Sequence, residues 1–172
     1  MLSVTAGTMT VSPTTFTNTG AINLNGGTLN LGGAFGLASL SSFNRSAATT
    51  LNLTGALDLT SGTLDIGNAG QFGTGGITLL SGTIKNGTLK SSDSNILNST
   101  GSGILNGITL DSNLTTNGNP TITGTVELAG KVLTYNNTLS FSGTIKNGTL
   151  ISGDGTTLNS TGGGYGGVLD GI

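Results

Sequence analysis

The sequence predicts an all-β chain wound into a parallel β-solenoid with about 20 residues per rung. Three observations lead there: a Gly-Thr pair recurs at near-fixed spacing, apolar and polar residues alternate in short runs, and the composition is poor in charge but rich in turn formers.

Six times the chain writes Gly-Thr followed by an apolar, a variable and usually another apolar residue. The copies begin at Gly7, Gly27, Gly62, Gly82, Gly124 and Gly143. Most successive copies are separated by one or two units of about 20 residues, the range of repeat architectures. The step from Gly27 to Gly62 is the misfit: it reads as one long rung or two shortened ones, because the segment from Ala34 to Thr50 holds no clean copy. A longer repeat lies on top. Ser81 to Leu89 (SGTIKNGTL) returns as Ser142 to Leu150, a distance that three rungs fit. Ile104 to Ile108 (ILNGI) reappears as Val168 to Ile172 (VLDGI), slightly farther on, and the extra residues near Gly164–Gly167 that cause the delay mark a turn.

Each element follows from composition. Charged residues make up 7% of the chain, where about 25% is usual. Its 32 glycines, with abundant Ser, Thr and Asn, disfavour helix interiors, and no segment carries a sustained apolar stripe at helical period. Pairs that skip one polar position, such as Ile22/Leu24, Leu29/Leu31, Leu57/Leu59, Val126/Leu128 and Leu139/Phe141, predict short strands with one buried face. Asn-Gly, Gly-Gly and Ser-Gly pairs between them supply turns with positive φ. There is no Cys, so disulfides and thiolate metal sites are excluded and stability must come from stacking. No stretch is long and apolar enough for a membrane helix, and the first residues lack the pattern of a signal peptide. The end at Asp170-Gly171-Ile172 cuts a strand that the earlier copy continues. Residues 1–172 are therefore expected to be one solenoid segment of a longer array.

In a solenoid each rung sits about 4.8 Å above the last, so eight to nine rungs make a rod on the order of 40 Å long. The apolar positions after Gly-Thr point inward, which predicts Met9 over Leu29 and Leu64 over Ile84. The variable positions point outward as a row of Thr10, Asn30, Asp65, Lys85, Glu127 and Lys146, which predicts Asp65 beside Lys85 and Glu127 beside Lys146. An antiparallel sandwich or repeated-hairpin sheet is the alternative and would pair strands at other offsets.

The rung length, the Gly-Thr strand starts, the Asn-Gly corners and the Leu-(Asn/Asp)-Gly-Ile motif at 105–108 and 169–172 together resemble the repeat regions of secreted bacterial surface proteins. These are the autotransporter passengers and the filamentous-haemagglutinin-like adhesins. The resemblance implies a single-stranded right-handed parallel β-helix, export to the cell surface, and service as a stalk or adhesive surface toward a host cell, matrix or polysaccharide. It transfers no functional residue, because such repeats carry no fixed site.

With no His, imidazole chemistry is impossible. Carbohydrate-active β-helices use clustered acids in a groove, and the candidates are Asp58, Asp65, Asp93, Asp111, Glu127, Asp154 and Asp170. Asp93 and Asp154 fall at equivalent repeat positions, about 14 Å apart if register holds, too far for a pair. Asp58 and Asp65 lie in consecutive strands and are expected as solvated outward positions. No calcium-binding glycine-aspartate repeat recurs. A row of outward Thr suggests ice binding, but the neighbouring row carries Asp, Lys and Glu, and charge orders water in the wrong pattern for a lattice. Nucleic acid is disfavoured by a net charge of −2 and five scattered cations. Tyr135 and Tyr165 are the candidate carbohydrate contacts, against packing of the ring at a turn. Several Asn-x-Ser/Thr triplets arise by chance in so Asn-rich a chain and suit corners.

The expectation is a non-enzymatic stalk or adhesive segment, without cofactor, metal, nucleic acid or membrane insertion. A carbohydrate-active or carbohydrate-binding β-helix and a fibre module that associates end to end are its rivals.

Overall fold

The computed structural model describes residues 1–46, 48–162 and 166–172 and has the predicted architecture: parallel strands stacked into a β-solenoid of about eight turns with roughly 20 residues per turn. Every strand pairing is parallel, so the sandwich and hairpin alternatives are excluded. Among the described residues there is no α-helix, only a single 3-10 turn at Leu37–Leu40.

Three columns of strands form the walls. One sheet holds β1 (Leu2–Val4), β3 (Ile22–Leu24) and β6 (Phe43–Arg45). An eight-stranded sheet stacks β2 (Thr8–Val11), β4 (Thr28–Leu31), β7 (Thr50–Leu53), β10 (Thr78–Leu80), β12 (Leu97–Thr100), β14 (Leu114–Gly118), β16 (Val132–Tyr135) and β19 (Thr149–Ser152). A ten-stranded sheet is built on β5 (Ala34–Gly36), β8 (Ala56–Asp58), β11 (Thr83–Lys90), β13 (Ile104–Leu110), β15 (Thr121–Glu127), β17 (Thr138–Phe141) and β20 (Thr157–Ser160). It also includes β9 (Thr63–Asp65), β18 (Thr144–Lys146) and β21 (Val168–Asp170).

Alternation fixes which side chains enter the rod. Ile22, Leu24, Leu29, Leu31, Leu57 and Ile84 are fully buried, while the residues between them face out. Each such side chain contributes about 1.5–3 kcal/mol on burial. The strands are too short to bury a face alone, so this gain appears only when rung stacks on rung. Long strands bend at a residue of positive φ: β11 turns at Asn86 (φ 60°) and β13 at Gly107 (φ 63°), using the residue types that tolerate left-handed backbone.

The register corrects the predicted columns. Met9 does lie over Leu29. Leu64, however, pairs with Leu89, and Ile84 pairs with Leu57. The six Gly-Thr copies do not form one column. Those at Gly7 and Gly27 open strands of the eight-stranded sheet, whereas the other four lie on the ten-stranded one. Glu127 stacks on Lys146 as predicted, but Lys85 stacks on Asp58, and Asp65 on Lys90. The reason is variable rung length: the rung from Ile104 to its partner Thr121 is short, and the rung from Ala56 to Thr83 is long.

The misfit step from Gly27 to Gly62 is neither one long rung nor two short ones. Between these glycines the chain completes a turn through β5, the 3-10 turn, β6, β7 and β8, and then starts a new position in the wall at β9. Residues 66–77 form the one long excursion among the described rungs, and Phe72 from it packs edge-on against Phe43, with ring centroids 5.5 Å apart.

Candidate functional site

The two copies of SGTIKNGTL build the same corner twice. Lys85 Nζ lies 3.2 Å from Asp58 Oδ2, Asn86 Nδ2 donates to that oxygen at 3.0 Å, and the Thr60 N–H donates to Asp58 Oδ1 at 3.0 Å. In the second copy Lys146 Nζ lies 3.2 Å from Glu127 Oε2, Asn147 Nδ2 donates to it at 2.9 Å, and the Ala129 N–H donates to Glu127 Oε1 at 2.9 Å. One carboxylate thus joins two rungs and caps a bend. The copies sit at different corners of the cross-section, because the strand after the first stacks on β9 while the strand after the second, β19, stacks on β16. The distance between the copies is therefore not a whole number of turns.

The third pair, Asp65 with Lys90 at 3.6 Å, sits where the wall changes. Asp65 is 9% exposed and accepts N–H groups from Gly67 at 2.8 Å and Ser92 at 3.1 Å. The Gln71 amide acts as a substitute strand for β9, accepting from the Asp65 N–H at 2.8 Å and donating to the Thr63 carbonyl at 3.0 Å. Beside it lies an open depression of about 440 Å³ lined by Thr63, Asp65, Ala69, Gly70, Gln71 and Lys90. Sequence reading missed this excursion; the Gly-rich run 67–76 was its only signal.

The surroundings of these acids favour their ionised form. Burial opposes ionisation at Asp58 and Asp65, but the N–H donors and the facing lysines outweigh it and hold both below the usual carboxylate range. Glu127 is lowered chiefly by the Ala129 N–H, with help from Asn147 and Lys146. A general acid needs the opposite shift.

The remaining predicted acids do not assemble. Asp93 precedes β12 and Asp154 follows β19, so the repeat places them at different corners, not three rungs apart in one column. Asp111 and Asp154 are exposed turn residues, and Asp170 is exposed at the end of β21. Asp58 and Asp65 are each held by their own lysine on β11. Asp65 and Asp93 approach each other across Gly67. A Cβ at Gly67 would lie 3.0 Å from Asp65 Oδ1 and 2.8 Å from Asp93 Oδ1, which puts the two oxygens within about 6 Å, a glycosidase spacing. Asp65 Oδ1 is taken up by the N–H groups of Gly67 and Ser92, and Asp93 by those of Asn68 at 2.8 Å and Asn95 at 3.3 Å. Among the described residues no three metal-ligating or acidic side chains converge.

Tyr135 corrects its sequence assignment. It is 6% exposed, because its position in β16 continues the inward alternation of Leu133, and its ring is part of the core. Tyr165, like Gly164 of the turn expected there, lies outside the described residues. Comparison with protein-family models, with curated proteins and with solved structures finds no match.

Proposed function

We propose that the chain is a non-enzymatic rod segment of a secreted bacterial β-helical surface protein, of the autotransporter-passenger or filamentous-haemagglutinin-like kind, that displays a polar adhesive surface. The observation that carries this reading is the use of the ionisable groups. Three of the seven acids join rungs through lysine, and Asp93 staples a loop by accepting from the Asn68 N–H. Most other outward strand positions carry Thr, Asn and Ser, a surface suited to many weak contacts summed by avidity. The test coats beads with the chain at graded density and measures attachment to host cells, matrix proteins and soluble polysaccharides, alongside release of reducing ends. Attachment rising steeply with density, without sugar release, is expected; polysaccharide cleavage would refute the reading.

Self-association end to end is a second reading, favoured by one observation. Ile151, Leu158, Val168 and Leu169 of the last described turn are 36–52% exposed, an apolar rung edge of the kind that accepts another strand. Light scattering over a concentration series tests it: mass growing with concentration is expected, and a constant monomer mass would exclude it.

A further inference from the structure

One wall of the rod is interrupted, and side chains close the gap. In winding order β9 follows β8 as β6 follows β5, so β9 takes the place of the next strand above β6. The two do not pair: the three-stranded sheet ends at β6, while β9 pairs with β11. Arg45 gives a reason. It stands in register on Leu24 and Val4, both buried, so a further rung on top would enclose its charge.

Residues 66–77 fill the opening. On the side of β6, Phe72 meets Phe43 and borders an apolar gap with Leu31, Leu51, Leu53 and Ile77, where packing is incomplete. On the side of β9, the Gln71 carboxamide accepts from the Asp65 N–H and donates to the Thr63 carbonyl. These are the two bonds that a residue of a parallel strand makes around its partner, here Leu64. Among the described residues the backbone of 67–76 bonds to no strand backbone; its own backbone pairs, Gly70 N–H to the Gly67 carbonyl at 2.9 Å and Gly73 N–H to the Gly70 carbonyl at 3.1 Å, close turns within it. Side chains supply the remaining tethers. Asp93 accepts from the Asn68 N–H at 2.8 Å, and Asn95 Nδ2 donates to Asn68 Oδ1 at 3.2 Å. Arg45, oriented by Thr49, donates from Nη1 to the Gly76 carbonyl and from Nη2 to the Gly75 carbonyl at 3.4 Å.

We propose that residues 67–76 are a strap that opens as one unit while the rungs on either side stay stacked. The eight-stranded sheet crosses this level from β7 to β10 and the ten-stranded sheet from β8 to β11, so backbone pairing holds the rod together when the strap is open. Opening frees the backbone groups of Thr63 and Asp65 along the edge of β9 and uncovers the core beneath Phe72. The inference stands on this segment alone and is independent of the stalk reading.

The experiment measures amide hydrogen exchange of the full chain by nuclear magnetic resonance, in water and in low urea. The Asp65 and Asn68 amides, held through Gln71 and Asp93, are expected to exchange at least about tenfold faster than the Asp111 and Leu128 amides, which bond between rungs to Leu89 and Lys146. Arg45→Gln touches neither strap amide, yet is expected to accelerate both by about tenfold. Gln71→Ala should likewise accelerate Asn68, which it does not touch, and both variants should leave Asp111 and Leu128 at wild-type rates. Exchange of the strap amides at the rate of Asp111 overturns the proposal, because the segment would then open only with the rod. Acceleration confined to the amide at each variant's own tether overturns it too, as independent fraying. If Arg45→Gln loses protection throughout, Gln71→Ala decides by the same reading.

Discussion

Replacing Gly87 by alanine tests whether the rungs touch as closely as the twin corners require. A Cβ there would lie 2.5 Å from Leu59 Cβ, 2.6 Å from the Gly62 carbonyl oxygen and 3.2 Å from Leu59 Cδ1. Two of these atoms belong to the backbone or are fixed to it, so no rotamer change relieves the clash and the rungs must part. Overpacking of this kind costs about 1–3 kcal/mol. Parting the rungs also stretches the hydrogen bond from the Thr88 N–H to the Gly62 carbonyl, now 2.9 Å, at a further cost of about 0.5–1.5 kcal/mol. Alanine recovers about 0.4–1 kcal/mol by restricting the unfolded chain. The net expectation is a loss of about 1–3 kcal/mol. Gly148 meets Leu128 Cβ at 2.5 Å and the Lys131 carbonyl oxygen at 2.6 Å, so Gly148→Ala should cost the same. Gly36 meets nothing closer than 3.4 Å, and Gly36→Ala should stay within about 0.5 kcal/mol of wild type. Urea unfolding followed by far-ultraviolet circular dichroism reads the midpoints, with the slope reporting whether cooperativity survives. Wild-type midpoints for Gly87→Ala and Gly148→Ala would refute the close contact.

Acid should weaken the rod. Asp58, Asp65 and Glu127 have folded pKa values below their ordinary ones, so their contribution is complete above the ordinary carboxylate range and is lost as pH falls through the folded values, where the unfolded chain binds protons first. Melting should fall between pH 7 and pH 3, and Asp58→Asn combined with Glu127→Gln should flatten that dependence; an unchanged slope would contradict it. Tyr135→Ala should cost about 3–5 kcal/mol as a core truncation and leave retention on polysaccharide columns unchanged. Weakened retention in a folded Tyr135 variant would return that ring to the surface.

Much of the fold is legible in the sequence because the strand period and the rung repeat are both written in apolar positions. Leu57, Leu64, Ile84 and Val126 are buried as alternation requires, and the Asn-Gly corners bend at Asn86, Gly107, Gly118 and Asn147, where Asn or Gly tolerates positive φ. The columns are less legible, since Gly-Thr opens strands in two sheets and the motif alone does not say which. Asp58 escapes a search for Gly-Thr because its strand begins Gly55-Ala56, yet that carboxylate holds Lys85. The rung from Ile104 to Thr121 is short and shifts register after Asn106, so the offsets beyond it change and Asp93 loses its apparent equivalence to Asp154. Asn136-Asn137 suggests a turn beside Tyr135, while the alternation from Leu133 sends the ring inward.

The register itself, on which the corner chemistry and the strap both depend, is tested most directly by paired cysteines in a chain that has none of its own. Partners on adjacent rungs are about 4.8 Å apart, inside the Cα range of about 4.4–6.8 Å that a disulfide spans. Asp58→Cys with Lys85→Cys should oxidise to a crosslink, read by mass and by gel mobility without reductant, whereas Asp65→Cys with Lys85→Cys should stay reduced. Closure of the second pair in place of the first would restore a uniform rung length and contradict the stacking described above.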